Sequence, residues 1–226
     1  MVKDSIFTSK QEEFIDYVVE KIKSENTSLP SIGQISKELG VSIPCLREQM
    51  ELSRILGIIE LQPRRGISIQ PYQFGSAVVK SLKYSIKLNK NYFSEYSQLR
   101  MHLESAFFLE AVKLLDEADL QHVYQLTQSA KKKLNSNPIQ IPHIEHRTFH
   151  LYIFSKLNNV FVKGLLESYW DIYETIGMDV YFDLDYLNAV WDYHESIAIA
   201  IIQKNYSEAH QKLIDHMQYI YQMYKE

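Results

Sequence analysis

The chain predicts a mostly α protein, with an N-terminal winged helix-turn-helix followed by a C-terminal all-α helical bundle. Three observations carry this reading. Residues 29–55 set apolar side chains at helical spacing between strong helix start and stop signals. Residues 58–69 then change period to two short apolar runs around a basic turn. After residue 76 the apolar spacing is helical to the end, and no strand pattern appears beyond residue 70.

The elements follow in order. Residues 9–25 predict an amphipathic helix with Phe14, Ile15, Val18, Val19 and Ile22 inward. Leu29-Pro30-Ser31 opens a short helix, and Ile35, Leu39 and Val41 are spaced to pack its inner face. Gly40 stops it, because glycine accepts a left-handed turn at no steric cost. Ser42 is placed to cap the next helix, and Pro44 falls in its first turn, where a missing N–H is harmless. Leu46, Met50 and Ile55 continue the apolar stripe. Ile58, Ile59 and Leu61 lead to Pro63-Arg64-Arg65-Gly66 and then Ile67-Ser68-Ile69, which reads as two strands and a basic wing. Pro71–Gly75 reads as a linker, so a boundary is expected between a domain at 1–72 and one at 73–226. Helices are predicted near 76–89, 92–115, 117–135, 142–156, 158–178, 184–203 and 206–224.

Composition narrows the function classes. A single cysteine, Cys45, rules out an internal disulfide and fits a reducing cytoplasm. No apolar run is long enough for a bilayer, and MVKDSIFTSK lacks a signal-peptide core, so a cytoplasmic location without membrane partners is expected. The net charge of −4 gives no general support for nucleic-acid binding. Residues 1–75 hold nine Lys/Arg against ten Asp/Glu, so any DNA affinity has to come from local placement of Lys37, Arg47, Arg64 and Arg65 together with helix N-termini.

The stretch from 29 to 69 resembles the GntR family of bacterial transcription regulators. The matching residues are Leu29, Pro30, Ser31, Leu39, Gly40, Val41, Ser42, Arg47, Glu48, Gly57, Pro63, Arg64 and Gly66. The helical part resembles the FCD effector domain of the FadR subfamily. Leu99-Arg100, Leu103-Glu104 and Glu110-Ala111 match its first long helix. Phe149-His150 with Asn159, and His194–Ile197 with Ala200, Ile201, Ala209 and His216, match later helices in the right order.

The resemblance implies a metal site. His150, His194 and His216 fall on the subfamily's ligand positions, and His146 stands where an aspartate is usual. Spacing alone leaves two readings open. His146 and His150, at i and i+4, share a helix face, and a turn at Asn205 lets His194 and His216 face each other from consecutive helices. Equally, these could be scattered histidines among the chain's eight. Four imidazoles without a carboxylate would favour a divalent transition metal, Zn²⁺ or Ni²⁺ first, over oxygen-seeking ions. Arg100 sits where the resemblance places an effector-facing arginine, suited to grasping the carboxylate of a small organic acid. The alternative for it is an ordinary ion pair with Glu104 at i+4. The aromatic residues between Tyr169 and Tyr193 read as core and interface rather than as a ligand cage.

For DNA, the expected contact set is Lys37, Ser42, Pro44, Arg47, Arg64, Arg65 and Gly66, with Arg47 foremost because it lies early in the recognition helix. The competing reading pairs Arg47 with Glu51. Gly33 and Ile43 replace two arginines common in the family, which points to an unusual operator or weaker binding. Cys45 reads as a small filler. The expected function is a homodimeric, effector-responsive regulator that binds a double-stranded operator and is not an enzyme. A metal-dependent helical-bundle enzyme, or a ligand sensor whose DNA binding has decayed, are the alternatives.

Overall fold

A computed structural model describes residues 13–25, 28–62, 66–176 and 183–223 of the 226. The chain forms two compact units, Met1–Lys80 and Ser81–Glu226.

The first unit holds α1 (Glu13–Lys23), α2 (Ile32–Leu39), α3 (Ile43–Ile55), β1 (Ile59–Gln62) and β2 (Gly66–Ile69). Phe14, Val18, Leu29, Ile35, Leu46, Met50 and Ile59 form its core. Each such side chain, once buried, contributes about 1.5–3 kcal/mol of transfer free energy. The helix ends follow the sequence signals. Ser31 accepts from the Gln34 N–H and Ser42 from the Cys45 N–H, and Gly40 closes α2 at φ 69°. The buried Gln49 ties α3 to α1, its Oε1 accepting from the Phe14 N–H at 2.8 Å. β1 and β2 pair antiparallel, with Ile59 opposite Ile69 and Gln62 opposite Gly66. The wing tip, Pro63, Arg64 and Arg65, lies outside the described residues.

Three side chains expected to be buried are not: Val19 and Ile22 on α1 and Ile55 on α3 are exposed, and Leu61 on β1 is exposed with them. α1 packs chiefly on α3, so only the narrow Phe14–Val18 stripe is covered, with Tyr17 beside it. Leu61 shares a strand face with the buried Ile59 but lies nearer the wing tip, beyond the core that covers Ile59.

α4 (Gly75–Leu88) begins in the first unit and runs into the second, and buries no residue fully. Its first turn abuts the bend after α3, where Gly57 has φ 75°. A Cβ there would lie 2.5 Å from Ser76 Oγ.

The second unit continues with α5 (Asn91–Lys113), α6 (Glu117–Leu134), α7 (His143–Ile153), α8 (Val160–Ile176), α9 (Leu184–Ile202) and α10 (Tyr206–Met223). α9 packs between α6 and α10, and α5 packs against α8, α10 and α7. Phe108, Val112, Val123, Phe149, Ile153, Leu166, Ile197 and Leu213 fill the core. Asp116 and Asp119 form a reciprocal capping box that starts α6, and Asp183 caps α9 through the Tyr186 N–H. α7 stops at Ile153, shorter than expected, because the chain turns through Phe154–Leu157 before Asn159 Oδ1 accepts from the N–H groups of Phe161 and Val162 and restarts it as α8. The expected ends of α8 at 178 and α10 at 224 fall outside the described residues. No helix among the described residues is long and apolar enough to cross a membrane.

Candidate functional site: a histidine cluster and a recognition helix

Three helices of the second unit send four side chains to one point. α7 supplies His146 and His150, α9 supplies His194 and α10 supplies His216, and one ligand atom from each lies within 4.8 Å of all the others. The Nε2 atoms of His150 and His194 are 3.0 Å apart. Neighbouring nitrogens on one ion with bonds of roughly 2.0–2.1 Å lie about 3 Å apart, so these two are already spaced as co-ligands. His150, His194 and His216 are buried. His146 is partly exposed as a residue, yet its Nε2 is buried without a hydrogen-bond partner. Neither ring nitrogen of His216 has one. Orphaned buried nitrogens are costly, at about 1–3 kcal/mol each. A cation that accepts their lone pairs removes that cost, so the residues present fit a divalent metal.

The electrostatics agree. Burial pushes the pKa values of His146, His194 and His216 well below the ordinary imidazole range; the neighbouring rings, which would repel a second proton, push the same way, as does Arg100 on His146 and His216, with Glu104 opposing on His216. Burial also lowers His150, against a pull upward from Glu104. All four rings are therefore neutral near pH 7, which is the form that ligates. Behind the cluster, on α5, Arg100 Nε donates to Glu104 Oε1 at 2.7 Å, and Glu104 Oε2 lies 3.0 Å from His150 Nδ1. Burial acts to raise the Glu104 carboxyl, but Arg100 and His150 outweigh it and hold it at about 2.

Arg100 thus makes the ion pair with Glu104 and also borders open space. Its guanidinium lies over the rings of Tyr169 at 4.5 Å and Trp170 at 4.9 Å. One cavity of about 30 Å³ runs from Arg100 past His143 and His146 to Tyr169, Tyr173, Tyr186 and Trp191. A second, also of about 30 Å³, lies between Arg100, Ser97, Met101, Tyr169 and Met217. Of the aromatic residues read from sequence as core, Tyr169, Trp170, Tyr173, Tyr186 and Trp191 are buried, and all of these but Trp170 line the first cavity; Tyr193 is half-buried, and Tyr181 and Phe182 lie outside the described residues. Sequence reasoning gave Glu104 a place in the long-helix match and a possible pairing with Arg100, but no link to a histidine. An acid four residues after an arginine says nothing of a histidine 46 positions further on.

In the first unit, Arg47 is exposed on α3 and has no partner among the described residues, while Glu51 pairs with Arg54 at 2.5 Å. Lys37, Ser42, Pro44 and Gly66 are also exposed. Arg64 and Arg65 lie outside the described residues. Ile43 is exposed at the start of α3, and Gly33 has open space around its Cα. Cys45 is half-buried, with Gln49 Nε2 3.6 Å from its Sγ.

A helical unit built around such a cluster defines the class. Residues 95–219 match the FCD domain, more than half of the chain, and the protein belongs to that family. The family expected from Arg100, His150, His194 and His216 is thereby borne out. Among solved structures, Streptococcus agalactiae GntR has the same fold, with a TM-score of 0.71 and 18% identity over 94% of this chain and 99% of that one. A GntR family member from Pseudomonas syringae pv. tomato is 18% identical over 94% of this chain and 82% of its own, with a TM-score of 0.43. A GntR-type regulator from Rhodococcus sp. RHA1 is 17% identical over 96% of this chain and 97% of its own, with a TM-score of 0.44. No curated protein matches the sequence.

Proposed function

We propose that the protein is a transcription regulator of the FadR type, in which residues 1–72 bind an operator and residues 73–226 sense a small organic acid and form a homodimer. The observation that carries this is the union, in one chain, of an exposed Arg47, without a partner among the described residues, on a capped recognition helix with a histidine cluster, three of its four residues buried, beside Arg100. His146, His150, His194 and His216 would hold a divalent transition metal, Zn²⁺ or Ni²⁺ by the chemistry of an all-imidazole donor set. When bound, that ion supplies a positive charge that no ligand neutralises, and so an attraction for an anion. Arg100 holds the other side of a carboxylate with guanidinium N–H groups not used by Glu104. The aromatic lining excludes water from that contact. The acid would tie α5, α7, α9 and α10 together, and occupancy would then shift the population of DNA-binding arrangements. Two copies are needed because one recognition helix covers a half-site only.

The test is selection on random duplexes with zinc-loaded protein at low salt, followed by a screen of organic acids for release or tightening. Enrichment of a palindrome whose affinity responds to an acid supports the reading. Failure to enrich any palindrome overturns the DNA-binding part. Indifference to every acid and to metal removal overturns the sensing part.

A further inference from the structure

Four neutral imidazoles bring no negative charge to a buried dication, and Arg100 adds a further positive charge beside it. Such a site is expensive in a low-dielectric interior. One fully buried carboxylate stands next to it. Glu104 projects from α5 with its side chain wholly out of solvent, and its Oε2 is 3.0 Å from Nδ1 of His150. Arg100 Nη2 is 3.1 Å from the same Nδ1. That nitrogen cannot both donate to Glu104 and accept from Arg100, so one contact is the hydrogen bond. A carboxylate oxygen is the stronger acceptor and has no proton to give, so Nδ1 carries the hydrogen and donates it. The Nε2 lone pair of His150 then points at His194 Nε2 and the middle of the cluster.

We propose that Glu104 is the positioning residue of the metal centre: it fixes the tautomer and aim of His150 and supplies, beside the cluster, a fully buried negative charge that lets the four imidazoles hold a dication. This deepens the metal-site reading above and rests on it. A carboxylate that accepts from the far nitrogen of a ligating histidine makes the ring a better donor, and loss of such a partner lowers metal affinity about 10–100-fold. Arg100 works in the opposite sense. It stabilises Glu104 as an anion, but its own charge repels the ion. Glu104 is therefore shared between the arginine that would meet an anionic ligand and the histidine that would meet the metal.

The test uses the full-length protein and Zn²⁺ alone, with affinity read by competition against a chromophoric chelator. Wild type, Glu104→Gln and Arg100→Met are compared, each checked for folding without metal by circular dichroism. The glutamine side chain keeps the shape and an acceptor oxygen but not the charge. The expected result is about 10–100-fold weaker zinc binding for Glu104→Gln and tighter binding for Arg100→Met. If Glu104 serves only to satisfy Arg100, both substitutions loosen the same packing and move affinity the same way, which overturns the proposal. If Glu104→Gln does not fold, the Arg100→Met arm decides alone: tightening supports the proposal and weakening overturns it. Wild type that binds no Zn²⁺ overturns the metal-site reading itself. Wild type that binds, with Glu104→Gln binding equally, overturns this inference only.

Discussion

His150 and His194 face each other through their Nε2 atoms across 3.0 Å, from helices that bring together residues 44 positions apart in sequence. With Nδ1 of His150 donating to Glu104, the two Nε2 atoms share one proton, which His194 supplies, or both give lone pairs to a cation. Adding Zn²⁺ or Ni²⁺ to metal-free protein is therefore expected to raise the unfolding temperature. At a free ion concentration of 100 times Kd the gain is about 2.7 kcal/mol. His194→Ala and His216→Ala should lose the effect. A calorimetric scan that is unchanged by either ion in wild type would count against the cluster as a metal centre.

Acid should weaken the metal-free fold. His146, His194 and His216 have folded pKa values well below the ordinary imidazole value of 6.5, so below about pH 6.5 the unfolded chain takes up protons that the folded chain refuses. Their contribution is fully present above pH 6.5 and is lost as pH falls toward the folded values. Glu104, held at about 2 against 4.5, adds a second loss of the same sign between those two pH values. Urea denaturation from about pH 8 down to about pH 5 should show a monotonic decline. Stability that rises on acidification would contradict the neutral, buried state of these rings.

Arg47 should dominate the DNA interface. It is exposed on α3 with no acidic partner among the described residues, since Glu51 is taken by Arg54. Arg47→Ala is expected to cost about 1–3 kcal/mol on a selected operator if it reads a base, and to weaken all sequences alike if it touches phosphate. Binding isotherms on the operator and on a scrambled duplex separate the two, and an unchanged affinity on both removes Arg47 from the interface.

Gly57→Ala should destabilise the first unit. The position has φ 75°, which costs an L-residue about 1–2 kcal/mol, and its new Cβ would meet Ser76 Oγ at 2.5 Å. The companion Gly57→Ala/Ser76→Gly removes the collision and leaves the backbone cost. Recovering part of the lost melting temperature is the expected outcome; identical melting of the two variants would show that the contact is not the cause.

Much of this fold is written in local sequence. Ser31, Gly40, Ser42, Asp116 and Asp183 mark helix ends through their own backbone chemistry, so those boundaries are readable without neighbours. The pairing of His146 with His150 follows from helical geometry in the same way. The exposure of Val19, Ile22 and Leu61 is a different kind of fact, because it depends on how wide a face the next element covers. The reach of Glu104 to His150 depends on the crossing of α5 and α7, which leaves no mark in either segment. The sharing of Arg100 between two cavities likewise exists only once α5, α8 and α10 are assembled.

Arg100 and Tyr169 border both small cavities, and Ile220 borders both as well. At about 30 Å³ each, neither admits more than a water molecule or two. On the sensing role proposed above, a guest of several carbon atoms would have to move the wall that the two voids have in common. Such a chamber ranks its guests by what they can push aside, not by what they fill. The work of opening comes out of the binding free energy, and it is spent on side chains from α5, α8 and α10. Affinity and mechanical output then trade against each other, and a ligand that enters without moving that wall leaves the helices as it found them.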